Sequence, residues 1–259
     1  MTLRMIDTFS GIGGFSLAAR WLGGIETVQF VEREPYCHRI LAKHWPTVPI
    51  HDDICTFNPA PRSADIVCGG FPCQDISTAG KQAGIKQGTR SGLFYELMRV
   101  ICVVRPRYVV LENVSAILAN GLDTVLGELA EAGFDCEWAC IPASAVGACH
   151  QRDRWWCVAH ANHAGMEAQG TKQQPAGIEQ YGELAAYSSS HGLEGRWACG
   201  STPNRLSPDW RSYLSEPVLC RGDDGLSGRV DRLKALGNAV VPQVAMIPLA
   251  RVLRLDRLR

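Results

Sequence analysis

Asp65-Ile66-Val67-Cys68-Gly69-Gly70-Phe71-Pro72-Cys73-Gln74 is the stretch around which the rest of the chain is organised. Its apolar first half predicts a buried strand. The two glycines end that strand and present a single thiol, that of Cys73. Pro72 fixes the backbone beside the sulfur because its ring locks φ. Open α/β sheets place their chemistry at the carboxyl ends of their strands, so the stretch predicts such a sheet with Cys73 at its mouth.

The residues that follow Cys73 are punctuated by glycine and carry the cations Lys81, Lys86 and Arg90. This composition predicts a mobile loop over 74–92 that closes over an anionic substrate. A buried cysteine in an ordinary turn is the alternative that this motif leaves open.

Composition indicates an ordinary globular protein, with 46% hydrophobic and 20% charged residues among 259. No apolar run has the length that a membrane helix needs, and residues 1–7 lack the apolar core of a signal peptide. The eleven cysteines are odd in number and scattered, which favours reduced thiols. These features predict a cytoplasmic protein without a membrane segment.

Positive charge is concentrated although the 26 basic and 26 acidic residues balance. The clustered cations are Lys81, Lys86, Arg90, Arg99, Arg105 and Arg107, followed by Arg251, Arg254, Arg257 and Arg259 near the end. Such clustering predicts a basic face that binds a polyanion. Solvated helix faces are the competing explanation, above all for the tail.

A glycine-rich turn follows the first predicted strand, residues 3–9, and precedes a predicted helix over 15–22. Strand, glycine turn and helix N-terminus together cradle nucleotides, so Phe9, Gly11, Gly13 and Gly14 are candidate ligand-binding residues. The spacing F-x-G-x-G-G differs from G-x-G-x-x-G, which argues against a pyrophosphate dinucleotide.

Two acids follow the next predicted strands. Glu32 ends the strand over 26–31, about twenty residues after the glycines, where an acid commonly takes the ribose hydroxyls. Asp53 follows a short apolar patch and could reach an adenine amino group. An ordinary acidic turn is the alternative for Asp53.

Strands and helices alternate through residue 160, which predicts a mostly parallel, doubly wound α/β sheet. The later elements are a helix over 93–104, a strand over 108–111 that delivers Glu112, a helix over 118–132, and strands over 134–140 and 155–159. The right-handed crossover rule brings the carboxyl ends of the strands to one edge. The residues expected there are 9–14, Glu32, Asp53, Cys73 and Glu112.

Zinc is the metal to consider, because cysteines and histidines gather between 136 and 163. The candidates are Cys136, Cys140, Cys149, His150, Cys157, His160 and His163. Paired CxxC or HxxxH spacing is missing, and strand periodicity already explains Cys136 and Cys140. We therefore predict no metal site.

The chain changes character after residue 160. Residues 161–208 are rich in Gly, Gln and Ser and predict an irregular insertion. Residues 229–236 and 244–255 regain helical spacing, with a turn over 237–242. We therefore divide the chain into a catalytic and cofactor-binding domain (1–160), an insertion (161–215) and a C-terminal segment that returns to the first domain (216–259).

Five motifs, in this order, resemble those of the bacterial and phage DNA cytosine-C5 methyltransferases. They are an S-adenosylmethionine loop at Asp7-Thr8-Phe9-Ser10-Gly11-Ile12-Gly13-Gly14-Phe15, a nucleophile motif at Gly70-Phe71-Pro72-Cys73-Gln74, a base-binding motif at Glu112-Asn113-Val114, an arginine pair in Arg152-Asp153-Arg154, and a C-terminal motif at Gly237-Asn238-Ala239-Val240-Val241-Pro242. The resemblance implies a Rossmann-like methyltransferase sheet, with Asn238 and Val240 also at the cofactor. It further implies a double-stranded DNA substrate, a cytoplasmic monomer and a link to a restriction-modification system.

Two features depart from the family pattern. His150 stands where many relatives carry glutamine, and the interval that normally holds the target recognition domain is short and polar. We therefore expect a reduced recognition insertion at 161–215 instead of a full domain. Its cations Lys172, Arg196 and Arg205 would contact phosphates, which fix register but carry little sequence information.

The chemistry of cytosine methylation requires the same residue types. C5 becomes nucleophilic only after a thiolate, here Cys73, adds at C6 and breaks the aromaticity of the ring. Glu112 would protonate N3, and Arg154, by resemblance, would stabilise charge near O2, with Arg152 supporting the site or a phosphate. The base must be flipped out of the duplex. The sequence shows no clear base for the C5 proton, which leaves water.

Three other functions remain open at this point. An NAD-dependent oxidoreductase would explain the glycine loop and Glu32 but not Pro72-Cys73 or Glu112. An RNA (tRNA) cytosine-C5 methyltransferase would share the chemistry, although Gly-Phe-Pro-Cys favours DNA. A non-catalytic DNA-binding relative would not need an intact Cys73 and Glu112.

Overall fold

The computed structural model describes residues 2–72, 92–148, 150–162 and 229–258. Cys73, nearly all of the predicted loop at 74–92 and residues 163–215 of the predicted insertion lie outside these residues. The strands are β1 (Leu3–Thr8), β2 (Ile25–Val31), β3 (Ile50–His51), β4 (Ile66–Gly70), β5 (Tyr108–Val114), β6 (Phe134–Pro142) and β7 (Asp153–Ala161). The helices are α1 (Gly14–Leu22), α2 (Pro35–His44), α3 (Leu93–Val104), α4 (Ile117–Asn120), α5 (Leu122–Glu131), α6 (Arg229–Asn238) and α7 (Pro242–Arg257).

The strands form one sheet in the order β3-β2-β1-β4-β5-β7-β6. Neighbours from β3 to β5 pair in parallel, whereas β7 runs antiparallel to both β5 and β6. The predicted mostly parallel sheet is therefore confirmed. The expected alternation of strands and helices is wrong at its last step. Among the described residues between β6 and β7, the one regular element is a 3₁₀ turn (Ala143–Val146), and a parallel return would need a longer crossover.

Helices cover both faces of the sheet, which makes the fold doubly wound. The face covered by α1 and α7 is packed with apolar residues such as Phe15, Ala18, Val110, Trp156 and Leu249. The opposite face packs against α3 and α5, and Phe94, Leu97, Ile101, Val125 and Leu129 share one buried core with Val67 and Leu111. Alternate residues of each central strand thus enter one of two cores, as strand geometry requires.

Two local predictions need correction. The helix expected over 118–132 is two helices, α4 and α5, separated at Gly121, whose φ of 155° lies outside helical geometry. The turn expected over 237–242 is shorter. Gly237 and Asn238 form the last turn of α6, and the chain turns only at 239–241 before Pro242 opens α7.

The C-terminal helix α7 packs on α1 and is also fixed to the sheet by ion pairs. Arg251 holds the carboxylate of Glu137 on β6 with two hydrogen bonds (2.9 and 2.6 Å), and Asp256 pairs with Arg107. The charges of Arg107 and Arg251 are therefore balanced by acids of the same protein, which removes them from the predicted basic face. The prediction differed from the structure because clustering of cations in the sequence does not reveal an acidic partner that lies far along the chain.

The stretch Ala235–Arg257 has the length and mean hydropathy of a membrane-spanning helix. A second helix begins inside it at Pro242, and residues from Val244 to Leu249 are buried within the protein. A core helix meets the same criteria, so this stretch is weak evidence for a membrane segment.

Candidate active site

The carboxyl ends of five parallel strands and the amino end of β7 meet at one edge of the sheet. Thr8 on β1 lies opposite Val31 on β2 and Gly69 on β4, while Gly70 lies opposite Glu112 on β5. At the end of β5, Val114 pairs with Arg154 of the reversed strand β7. This edge therefore brings together the glycine turn, Glu32, Glu112 and the arginine pair, as predicted for the first three.

The glycine turn after β1 has a backbone conformation suited to holding a ligand. Phe9 has φ 50°, a left-handed conformation that costs a non-glycine residue about 1–3 kcal/mol, and such strain clusters at ligand sites. Gly11 has φ 54°, and a Cβ built there would meet nothing within 4 Å. Ser10 anchors the turn because its N–H donates to the carbonyl of Val31 (3.2 Å) and its hydroxyl donates to the carbonyl of Asp7 (2.5 Å). Open space thus lies above Gly11.

Glu32 stands beside this turn and is organised by backbone N–H groups. Its Oε2 accepts the N–H of Gly11 (2.7 Å), and its Oε1 accepts those of Arg33 and Glu34 (2.8 Å each). The carboxylate is thereby held at the strand end. Oε2, which accepts one N–H, retains acceptor capacity for a ligand hydroxyl, whereas Oε1 already accepts two.

Asp53 forms the turn that follows β3, next to Glu32 along the same edge. Its Oδ1 accepts the N–H of Cys55 (2.9 Å), and this hydrogen bond lowers the pKa of the Asp53 carboxyl. The acidic turn left open as an alternative is therefore present. Only Oδ1 is used in that hydrogen bond, so a role toward a ligand amino group stays a prediction.

A further acid, Asp7, lies under the glycine turn and has no counterpart in the residue-level predictions. Its carboxyl is fully buried; Oδ2 accepts the Ser16 hydroxyl (2.6 Å), which in turn accepts that of Thr27 (2.8 Å). Burial raises the pKa of Asp7 to about 7. In the sequence, the feature that could have pointed to this residue is an acid within an otherwise apolar strand.

Glu112 and Arg154 form an ion pair at the centre of the edge, with 3.0 Å between Oε1 and Nε. Because β7 is antiparallel and Arg154 lies opposite Val114, Arg154 is a diagonal neighbour of Glu112 on the same face. Gly70 makes room for the acid, since a Cβ there would stand 2.8 Å from Glu112 Oε2. The structure thus brings together two of the four predicted catalytic residues.

Burial makes the carboxyl of Glu112 easier to protonate than that of an exposed glutamate. Only 13% of its side chain is exposed, and burial raises the pKa of the carboxyl, although the charges of Arg154 and Arg152 oppose this shift. A largely buried acid with a raised pKa beside a guanidinium can donate a proton to a ring nitrogen. It then remains stabilised as a carboxylate.

Asn113, between Glu112 and Val114, is a second residue whose role was not predicted. It is buried, and its Nδ2 donates to the carbonyl of Phe71 (3.2 Å), just ahead of Pro72. Strand alternation turns Asn113 away from Glu112 and toward the face that holds α3. It therefore fixes the chain immediately before the predicted nucleophile.

Arg152 reaches the C-terminal turn and is not paired with Glu112. Its guanidinium donates to the carbonyls of Gly237 (2.9 Å) and Ala239 (2.7 Å). Burial, followed by the charge of Arg154, lowers the pKa of Arg152. Its predicted catalytic role remains untested, and its observed contacts are with the backbone of another motif.

The C-terminal turn closes against the glycine turn. A cavity of ≈ 260 Å³ lies between them, lined by residues that include Gly13, Gly14, His150, Arg152 and Val240. A Cβ on Gly14 would stand 2.7 Å from the carbonyl oxygen of Val240. Val240 is thus placed at the predicted cofactor loop, whereas Asn238 is exposed at the end of α6.

Replacing Gly14 with alanine is expected to destabilise the protein by about 1–3 kcal/mol, because the added methyl group must displace the backbone of Val240. Gly127→Ala on α5 is the matched control. Its Cβ meets nothing within 4 Å, so there we expect no loss and a gain of up to about 1 kcal/mol. Urea unfolding of both variants measures the difference. Equal stability of the two would show that the turn does not press on Gly14.

Among the described residues, no three metal-ligating side chains come together. Cys136 and Cys140 pack against the α3–α5 core, as the strand periodicity indicated. The predicted absence of a metal site is not tested by this observation, because Cys149 and His163 lie outside the described residues.

Comparison with known proteins agrees with this geometry. The sequence profile of the family described as C-5 cytosine-specific DNA methylase matches residues 3–201. The Type II methyltransferase M.CviJI of Paramecium bursaria Chlorella virus IL3A is 35% identical over 164 residues, which cover 61% of this chain and 43% of that protein. M2.BsuMI of Bacillus subtilis is 34% identical over 160 residues, covering 59% of this chain and 40% of that protein. The chain thus matches under half the length of these two relatives.

A solved structure shows the same fold. The S. pombe Dnmt2 methyltransferase superposes with a TM-score of 0.54 at 18% identity, covering 73% of this chain and 55% of that one. At this identity the likeness concerns the fold alone, and it confirms the predicted Rossmann-like α/β sheet. The profile match extends over most of the chain and includes the glycine turn, Cys73, Glu112 and the arginine pair. The chain therefore belongs to the C-5 cytosine-specific DNA methylase family.

Proposed function

We propose that this chain is a DNA cytosine-C5 methyltransferase that uses S-adenosylmethionine. The observation that carries the proposal is the Glu112–Arg154 pair, which lies beside the strand end that leads to Pro72 and Cys73. Family membership supports it, because the profile that defines the family covers these motifs. The alternative of an NAD-dependent oxidoreductase would explain the glycine turn and Glu32 but leaves Pro72-Cys73 and Glu112 unexplained.

The residues at the edge fit S-adenosylmethionine. Glu32 offers its Oε2 to a ribose hydroxyl, Asp53 offers an acceptor for the adenine amino group, and open space above Gly11 leaves room for the nucleoside. The other proposed cofactor-binding residues are Phe9, Gly13, Gly14, Asn238 and Val240. When bound, S-adenosylmethionine supplies an electrophilic methyl group.

The protein's residues would prepare the cytosine for that methyl group. The Cys73 thiolate adds to C6, and the electrons released into the ring are accepted at N3, where Glu112 delivers its proton. Arg154 would stabilise negative charge near O2 and would keep Glu112 charged once its proton has left. Arg152 would support this site through the C-terminal turn. Because these ring atoms are stacked in a duplex, the base must be flipped out.

We propose that the protein is a cytoplasmic monomer that binds double-stranded DNA. The curated relatives are named Type II methyltransferases, which supports a pairing with a restriction system. Residues 161–215 would contribute phosphate contacts and a site of about two to four base pairs.

Bisulfite sequencing of DNA from cells that express the protein tests this function. We expect 5-methylcytosine to appear at one short recurring sequence, in cells that otherwise lack cytosine methylation. Expression of Cys73→Ser is the control and should leave the DNA unmodified. The proposal fails if wild-type protein that binds S-adenosylmethionine and DNA adds no methyl group to C5 of any cytosine.

Glu32→Ala is expected to raise the Kd for S-adenosylmethionine by about 10- to 100-fold, the effect of losing a hydrogen bond to a charged group of about 1.5–3 kcal/mol. Isothermal titration calorimetry measures it. Glu26→Ala, at an exposed position on β2, is the control and should bind normally. Unchanged affinity in Glu32→Ala would move the ribose site elsewhere.

A further inference from the structure

The side chain of Arg99 extends from α3 to the turn at residues 53–57. Its Nη2 donates to the carbonyls of Ile54 (2.7 Å) and Phe57 (3.0 Å), and its Nε pairs with Glu96 (2.8 Å). Arg99 was predicted to belong to a polyanion-binding face. The Nη2 donors of its guanidinium are instead directed at the backbone of the turn that carries Asp53.

The turn uses its other polar groups internally. The Asp53 carbonyl accepts the N–H groups of Thr56 (3.2 Å) and Phe57 (3.0 Å), and Asp53 Oδ1 accepts that of Cys55 (2.9 Å). The carbonyls of Ile54 and Phe57 accept hydrogen bonds from Arg99. Ile54 and Phe57 are buried in the same core as α3 residues, so α3 supports the turn by packing as well.

This geometry depends on a forked donor. A guanidinium presents several N–H groups in a fixed plane, which lets it serve two carbonyls and a carboxylate together. A lysine ammonium carries a similar charge without that fixed fork. Arg99→Lys would therefore keep the charge beside Glu96 but lose the simultaneous hold on both ends of the turn.

We propose that Arg99 is a positioning residue of the cofactor site, which holds the Asp53 carboxyl where it meets the adenine amino group. The inference rests on the proposed function, because it takes the ligand at this edge to be S-adenosylmethionine. Asp53 and Glu32 follow strands that pair with each other, with the Glu32 N–H donating to the carbonyl of His51 (2.9 Å). A shift of the Asp53 turn would therefore misplace the adenine contact relative to the ribose contact.

The test measures binding of two probes to full-length protein by calorimetry. One probe is S-adenosylhomocysteine and the other is its analogue whose purine lacks the 6-amino group. We expect Arg99→Lys to weaken S-adenosylhomocysteine by about 10-fold and the analogue by less than about 3-fold, because only the first probe has the amino group. With DNA held saturating and S-adenosylmethionine varied, KM for S-adenosylmethionine should rise while kcat changes little.

Arg105→Lys is the matched control, since Arg105 belongs to the same predicted basic cluster and is exposed just after α3. It should bind both probes normally. Arg99→Gln is measured in parallel, so that the result does not depend on the folding of a single variant. It should also weaken binding of S-adenosylhomocysteine more than binding of the analogue.

Three results would overturn the proposal. Equal weakening of both probes would give Arg99 a general structural role. Unchanged probe affinity together with weaker, less salt-dependent DNA binding would return Arg99 to a phosphate-contacting role. Failure of the wild-type protein to bind S-adenosylhomocysteine would instead remove the proposed function on which the inference rests.

Discussion

Replacing Cys73 with serine is expected to lower the rate of methyl transfer by about 10³-fold or more, and to abolish covalent capture of the target base. A thiol is partly ionised near neutral pH, and its thiolate is strongly nucleophilic. A serine hydroxyl needs an adjacent base to become a good nucleophile. Without addition at C6, the ring stays aromatic and C5 does not attack the methyl group. Cofactor affinity should be unchanged, because the proposed cofactor contacts lie on other strands.

The structure supports this prediction through the residues before Cys73. β4 ends at Gly70, directly opposite Glu112, and the carbonyl of the buried Phe71 is held by Asn113. The chain is therefore fixed two residues before the sulfur, on the strand next to the proposed acid.

Oligonucleotides that carry 5-fluorocytosine in the target site measure the covalent step. Fluorine at C5 cannot leave as a proton does, so Cys73 cannot be eliminated after methylation and the adduct survives denaturation. The control is Cys102→Ser, which removes an exposed thiol on α3 and should trap normally. An adduct of undiminished yield with Cys73→Ser would assign the nucleophile to another residue.

Glu112→Gln is expected to slow methyl transfer by about 10²- to 10⁴-fold, the usual contribution of a general acid, with cofactor affinity nearly unchanged. Glutamine fills the same volume and can still donate a hydrogen bond to N3. It cannot deliver the proton that balances the charge formed when Cys73 adds. Single-turnover rates at saturating cofactor separate this effect from binding.

The pH dependence of the rate tests the role of Glu112 more specifically. Burial raises the pKa of this carboxyl above its ordinary value, so the protonated acid persists to higher pH than a solvated glutamate would. The rate that depends on this proton should fall as pH rises through the raised pKa. In Glu112→Gln that falling limb should disappear.

Glu26→Gln, at an exposed site on β2, is the control and should keep both the rate and the pH profile of the wild type. A Glu112→Gln variant that binds cofactor poorly but transfers methyl groups at a normal rate would reverse the roles proposed here for Glu32 and Glu112.

Local sequence patterns predicted most of the elements that build the edge. The helix expected over 93–104 is α3, and β1, α1, β2 and β5 begin or end within a few residues of their predicted positions. These elements are determined by apolar periodicity over a few turns and by nearby glycine and proline, which act over short stretches of chain. The same proximity explains why the glycine turn and Glu32 could be assigned to one edge.

Predictions that depended on charge alone were less successful. Arg99, Arg107 and Arg251 look like members of a basic face in the sequence, yet their partners are Glu96, the Asp53 turn, Asp256 and Glu137. Except for Glu96, these partners lie more than 40 residues away along the chain. A long, flexible arginine side chain pairs with the acid or carbonyl group that tertiary packing brings near it, and composition does not indicate which group that is.

The sequence by itself determined the family, the type of sheet and the identities of the proposed nucleophile and acid, because each is carried by a short contiguous motif. Tertiary structure decided how the motifs combine. The reversed direction of β7 places Arg154 at the carboxyl end of β5, diagonal to Glu112, and allows Arg152 to hold the C-terminal turn. A parallel β7 would have carried both arginines to the opposite edge. Strand direction follows from the short connection after β6 and from pairing across the sheet, and these become visible only once the chain is folded.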